Sequence, residues 1–141
     1  MPASGRSRPV RHPLNGSDKA AVVEYMIGGW RLLSGSAHSF DETAIRALAT
    51  AEVSRANNLL SMFNHALHKG EQWYGKIGQI GAPTLVVHGT DDPALPYPHA
   101  IALAREIPHA RLMTLQGTGH ELHKNDWDKI VGAIVEHAPQ Q

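Results

Sequence analysis

The feature that most limits how this chain can fold is the run Thr84-Leu85-Val86-Val87-His88, entered through Gly81-Ala82-Pro83 and stopped by Gly89-Thr90-Asp91-Asp92-Pro93. Unbroken β-branched and leucine residues over this length predict a strand apolar on both faces, as strands of parallel sheets are. Pro83 cannot donate to a ladder and fits the strand's first position. The turn-forming residues after His88 end it. A second strand is predicted over Ala110–Leu115, followed by the loop Gln116-Gly117-Thr118-Gly119-His120. Between them, Pro96 and Pro98 precede a short helical pattern, roughly 97–106, which Pro108 terminates. Strands separated by a helix and its loops are far enough apart in sequence to run parallel, with a right-handed crossover expected.

The flanks are helical. Apolar residues recur at helical spacing from Asp18 to Leu33 (Val22, Met26, Gly29, Trp30, Leu33), with Ser17 available as the N-cap. Ser39-Phe40-Asp41-Glu42 has the S-x-x-E form of a capping box. From there Ile45, Leu48, Val53, Ala56, Leu60, Phe63 and Leu67 predict one long apolar face ending at Lys69-Gly70. Residues 71–81 read as a mixed connector with a short helix. The last helix is expected to be capped by Asn125, with Asp128 in its first turn and Trp127, Ile130, Val131, Ile134 and Val135 on one face. The resulting order is helix, helix, strand, helix, strand, helix. It divides into a disordered basic tail (1–16), a helical segment (17–70) and an α/β part (71–141).

Composition removes several functions. Thirteen basic and thirteen acidic residues cancel, so no overall field favours nucleic acid or an anionic membrane surface. The three arginines of residues 1–16 have no aromatic residues interleaved for stacking on bases. They precede no apolar segment of the kind a secretory signal needs, and no window approaches 18 apolar residues. The absence of cysteine excludes disulfides, a cysteine nucleophile and thiolate metal sites, which suits a cytoplasmic setting. His120-Glu121-Leu122-His123 brings its second histidine one residue too early for H-E-x-x-H, and His65 and His68 have no evident third ligand, so no metal is expected. Neither a P-loop nor G-x-G-x-x-G occurs, so no nucleotide cofactor is expected.

In an open α/β sheet, ligands and catalytic groups collect beyond the carboxyl ends of the strands. Asp92 lies just past the first strand and His120 just past the second, so both point to one sheet edge. The chemistry this allows is a carboxylate accepting the Nδ1 proton of an imidazole, fixing its tautomer while Nε2 acts as a base. A turn-forming role competes for each acid, and Asp91 could take it through an Asx turn.

Pro83 through Pro93, together with Gly117-Thr118-Gly119-His120-Glu121-Leu122, resembles the C-terminal third of the α/β-hydrolase family. Within it the chain is similar to the bacterial esterase-like members related to aclacinomycin methylesterase. The resemblance spans roughly residues 18–138. It implies that Asp92 is the catalytic acid at the end of the family's seventh strand, and that His120 is the catalytic histidine after the eighth. It also implies that the helices of 18–67 are the end of a lid. The fold class expected is thus α/β: a C-terminal fragment of an α/β-hydrolase fold, with two parallel strands, crossover and terminal helices, and two lid-like helices.

The resemblance also exposes a gap. Family members carry their serine in a G-x-S-x-G elbow upstream of the acid. Ser36 follows Gly35 but precedes Ala37-His38, and Ser34, Ser39, Ser54 and Ser61 lack elbow glycines altogether. The chain is therefore expected to be truncated and without triad-dependent activity by itself. The intact protein would cleave a small-molecule ester or amide. An open strand edge predicts self-association or docking on a missing N-terminal half. The alternative is a non-catalytic interaction protein that uses this edge.

Overall fold

A computed structural model describes residues 18–59, 70 and 75–138. Its elements are α1 (Lys19–Leu33), α2 (Glu42–Arg55), β1 (Leu85–Gly89), α3 (Tyr97–Glu106), β2 (Arg111–Leu115) and α4 (Trp127–His137). Single 3-10 turns occur at Ile77–Gln79 and Lys124–Asp126.

β1 and β2 form a two-stranded parallel sheet in the register Leu85↔Arg111 through Gly89↔Leu115. The crossover helix α3 packs on both strands. The expected strand, helix and strand are present at the expected positions. Burial differs, because Leu85–His88 are only half-buried and only Gly89 is fully covered. A strand of this composition needs neighbours on both sides and both faces to become dry. The described residues supply one neighbouring strand.

The other body is the α1–α2 pair. Val22, Val23, Met26 and Ile27 on α1 interlock with Ala49 and Val53 on α2, and Phe40, Ile45 and Leu59 pack around them. Both helices start differently from the sequence expectation. Asp18 is the N-cap of α1, and its Oδ1 accepts the amide hydrogen of Ala21 at 3.0 Å; the proposed cap Ser17 lies outside the described residues. Asp41, and not Ser39, caps α2 by accepting from Ala44 N at 3.0 Å. An aspartate immediately before the first helical residue reaches the third amide directly. Glu42 is thereby free to pair with Arg31 (2.5 Å) and with Arg46 one turn on (2.9 Å).

α2 ends at Arg55, earlier than its apolar pattern suggested, with Ala56 already extended. Asn57 and Asn58 follow, and their short amides compete for backbone groups and disfavour continuation. The remainder of the expected face, including Leu60, Phe63 and Leu67, lies outside the described residues, as do residues 1–16.

α4 departs most. Asn125 sits within a 3-10 turn capped by His123, whose Nδ1 accepts from Asn125 N at 3.2 Å, and the helix proper begins at Trp127. Its apolar stripe exists but is not buried by the described residues: Trp127, Val131, Ile134 and Val135 are 53–62% exposed.

Candidate active site

β1 ends in a turn stitched to the loop after β2. Thr90 N donates to Leu115 O (3.0 Å), Asp91 N to Thr118 O (3.0 Å), and Gly117 N to Thr90 Oγ1 (2.8 Å). These bonds hold the two strand-end loops side by side and bring Asp92 to His120. The Nδ1 of His120 lies 2.8 Å from Asp92 Oδ2. The other carboxylate oxygen, Oδ1, accepts the amides of Ala94 and Leu95, both at 2.8 Å.

Asp92 therefore performs the turn-forming role that sequence reasoning had offered to Asp91, and pairs with histidine as well. Asp91 turns the other way, accepting from the hydroxyl and amide of Ser36. That contact also shows where the nearest glycine-flanked serine goes: its hydroxyl is bonded to Asp91 and not to His120.

The two members differ in exposure. The Asp92 side chain is 6% exposed and that of His120 44%. Burial by itself would raise the Asp92 carboxyl. The hydrogen bonds from Leu95, His120 and Ala94 outweigh it and hold the group below the ordinary carboxylate range. An ionised acid on Nδ1 fixes the His120 tautomer and leaves Nε2, which has no hydrogen-bond partner among the described residues, as the reactive nitrogen.

The segment after α1 holds the back of the histidine loop. His120 N donates to Leu33 O (2.7 Å), Ala37 N to Gly117 O (2.8 Å), and Gly35 N to Glu121 Oε1 (3.0 Å). A second acid–histidine pair, missed by sequence reasoning, reinforces this seam. Asp126 Oδ2 lies 2.8 Å from His38 Nε2 and accepts the Thr118 hydroxyl at 2.9 Å, with both His38 and Asp126 largely buried. Burial pushes the Asp126 carboxyl up, but the bonds from His38 and Thr118 and the charges of His38 and Lys129 bring it below its usual range. His38 stacks on His123 with ring centroids 4.1 Å apart. The partners are 88 residues apart, and no local motif announces them.

An apolar cleft of about 400 Å³ lies between the helical pair and the residues following His120. Trp30, Phe40, Ile45 and Leu48 form one wall, and Leu122 and Trp127 the other. Among the described residues no group of three or more His, Asp or Glu side chains could hold a metal ion, and no helix is long and apolar enough to cross a membrane.

The family described as TAP-like protein matches residues 67–136. Rhodomycin D methylesterase DauP from Streptomyces sp. (strain C5) is 29% identical over 118 residues, and rhodomycin D methylesterase DnrP from Streptomyces peucetius 27% over 122. Each match covers 82% of this chain and 40% of the relative. These matches support an α/β-hydrolase family for the chain. Solved α/β hydrolases share its fold. An esterase from Exiguobacterium antarcticum superposes with a TM-score of 0.62 at 16% identity, covering 89% of this chain and 49% of that one. The meta-cleavage product hydrolase CumD from Pseudomonas fluorescens IP01 gives 0.60 at 20%, covering 82% and 44%.

This chain thus spans about 40% of the length of the curated relatives it matches. The two parallel strands, the crossover and the terminal helix are consistent with a C-terminal piece of an α/β hydrolase. The chain's 141 residues contain an acid and a histidine at adjacent strand ends, and no G-x-S-x-G.

Proposed function

We propose that this chain is the acid-and-histidine part of a serine-dependent esterase site, with Asp92 and His120 as its catalytic pair. The observation that carries the reading is the 2.8 Å contact between His120 Nδ1 and Asp92 Oδ2, with Nε2 left for chemistry. Given a serine beside Nε2, His120 takes the hydroxyl proton as the oxygen attacks the ester carbonyl. It then returns that proton to the departing alkoxide, leaving an acyl-serine. Water repeats the sequence and releases the acid. Asp92 stays ionised throughout and stabilises the imidazolium.

The serine comes from outside these 141 residues, because none of theirs stands in an elbow. Ester is favoured over amide as the substrate bond by the two relatives named as methylesterases. A small, largely apolar substrate fits the cleft walled by Trp30, Phe40 and Trp127, with the α1–α2 pair acting as the end of a lid. A cytoplasmic setting suits a chain without cysteine.

The test is p-nitrophenyl ester hydrolysis by the chain alone and by the chain joined to, or mixed with, a strand–elbow–helix polypeptide bearing G-x-S-x-G. The chain alone is expected to be inactive. The combined species should turn over, and Asp92→Asn should lower its rate by about 10⁴, as loss of the orienting acid does in serine proteases. Turnover by the homogeneous chain alone that vanishes in His120→Ala would refute the external serine. Turnover by the combined species that survives both substitutions would refute the catalytic pair.

A second reading, an interaction protein, draws on the exposed stripe Trp127, Val131, Ile134 and Val135 beside an open sheet edge. Apolar surface of that kind marks docking or self-association.

A further inference from the structure

Of the three residues immediately before His120, only Thr118 has a side chain with which to hold the loop. Gly117 and Gly119 flank it, and Gly117 turns with a positive φ of 70°. Glycine on both sides leaves this backbone a wide conformational range, so the place of the histidine depends on what grips Thr118.

Thr118 is 1% exposed, and each of its polar groups is engaged. Its carbonyl accepts the amide of Asp91 at 3.0 Å, and its own amide donates to Leu115 O at 3.4 Å. One residue thus grips the turn that carries Asp92 and stands two positions before His120. Its hydroxyl reaches a different element, donating to Asp126 Oδ2 at 2.9 Å. Asp126 belongs to the 3-10 turn at the root of α4 and is 3% exposed. The same Oδ2 lies 2.8 Å from Nε2 of His38, which comes from the connector after α1 and stacks on His123. The other carboxylate oxygen faces Lys129 Nζ at 3.7 Å. A carboxylate acceptor makes the Thr118 bond a charge-assisted one, and burial removes the water that would compete for it.

We infer that Asp126 is a positioning residue for His120: fixed between His38 and the root of α4, its carboxylate anchors the Thr118 hydroxyl and so sets where the loop presents the histidine ring to Asp92. The inference rests on the proposed catalytic pair and adds a second acid–histidine set, which acts on the loop and not on substrate. Without the anchor the amide bonds between the α1 connector and the loop still hold the chain together, but the His120 ring leaves its place on Asp92.

Ring-nitrogen NMR of the full chain labelled with ¹⁵N-histidine, in mildly alkaline buffer, reads the His120–Asp92 contact without requiring turnover. With the hydrogen held on Nδ1 by Asp92, the two ring nitrogens of His120 are expected to be widely separated in shift. Thr118→Val keeps the buried shape and removes the hydroxyl. It should draw the two shifts together, as a ring freed from its partner exchanges between tautomers, and Thr118→Ser should restore their separation. His38→Phe keeps a ring over His123 but no nitrogen on Asp126. It should move the same signals the same way by a smaller amount, and it decides the matter if Thr118→Val does not fold. Val53→Ala in the α1–α2 core should lower Tm and leave the His120 signals in place; narrowing there to the same extent would reduce Asp126 to a structural role and overturn the inference. If Asp92→Asn narrows the separation while Thr118→Val and His38→Phe do not, the inference is overturned and the pair stands. If Asp92→Asn leaves it unchanged, the proposed pair itself fails.

Discussion

Gly35→Ala tests whether the α1 connector and the histidine loop form one unit. A Cβ on Gly35 would land on the backbone of Gly117, Thr118 and Gly119, and one on Gly119 would land on Leu33 and Ser34. Backbone cannot yield as a side-chain tip does, so the connector must back away from the loop. Three hydrogen bonds donated by backbone amides join residues 33–37 directly to residues 117–121: His120 N to Leu33 O, Ala37 N to Gly117 O and Gly35 N to Glu121 Oε1. At about 1 kcal/mol net each, their loss costs roughly 3 kcal/mol. Restricting the unfolded chain returns about 0.4–1 kcal/mol. The net is roughly 2 kcal/mol, which lowers Tm by about 6 °C for a chain of this size. It also reduces hydrogen-exchange protection of the His120 and Ala37 amides by about 30-fold. Gly28→Ala is the internal control, because nothing lies within 4 Å of a Cβ there and alanine in a helix interior stabilises by about 0.5–1 kcal/mol. Calorimetry and amide exchange on both variants decide the matter. A Gly35→Ala chain with unchanged Tm and unchanged His120 protection would refute the argument.

The other expectations concern burial and charge. Asp126→Ala leaves His38 and Thr118 facing an emptied, buried site, and a loss of about 3 kcal/mol is expected by urea titration; a loss under 1 kcal/mol would mean the pair is solvent-relaxed. Asp41, Asp91, Asp92 and Asp126 all have carboxyls below their ordinary range. Their contribution to stability is therefore fully present above about pH 4 and is lost as the pH falls through the lowered folded-state values. Acid unfolding followed by circular dichroism should accordingly begin below about pH 4, and Asp92→Asn should flatten that limb. Val131→Lys with Val135→Lys, at positions 57% and 62% exposed, should change the stability of the chain by no more than about 0.5 kcal/mol. The pair should shift any self-association toward monomer in sedimentation, whereas a wild-type chain that is monomeric at high concentration would remove the self-association reading.

The parts of this fold legible in the sequence are those set by nearest neighbours along the chain. The Pro83-to-Pro93 punctuation located β1 and its turn, and Pro96, Pro98 and Pro108 bracketed α3, because proline and glycine act on their own backbone. The strand-end rule placed Asp92 and His120 at one edge because parallel topology fixes which ends coincide. What failed was choice among equivalent local signals. Ser39 and Asp41 can both cap α2, and only the φ/ψ of the turn decides between them; the same is true of Asp91 and Asp92 as turn formers. The apolar stripe of α4 was legible, but what covers it was not, since periodicity reports a face and not its partner.

The histidine–aspartate pair at His38 and Asp126 shows why long-range polar contacts resist sequence reading, and also what they do here. Nothing at either position distinguishes it from the chain's other histidines and acids. Together with Lys124–Asp41 at 3.1 Å and Ser36–Asp91, the pair fastens residues 36–41 to the turn after β1 and to residues 117–126 after β2. The helical pair is thus bound to the same two loops that hold Asp92 and His120, and not to the sheet's open edge. The apolar cleft walled by α1 and α2 on one side and by Leu122 and Trp127 on the other, proposed above to take the substrate, then keeps its shape only while that seam is closed. Weakening the seam should accordingly disturb substrate affinity and His120 placement together, whereas Val131→Lys and Val135→Lys on α4, away from the cleft lining, should leave both untouched.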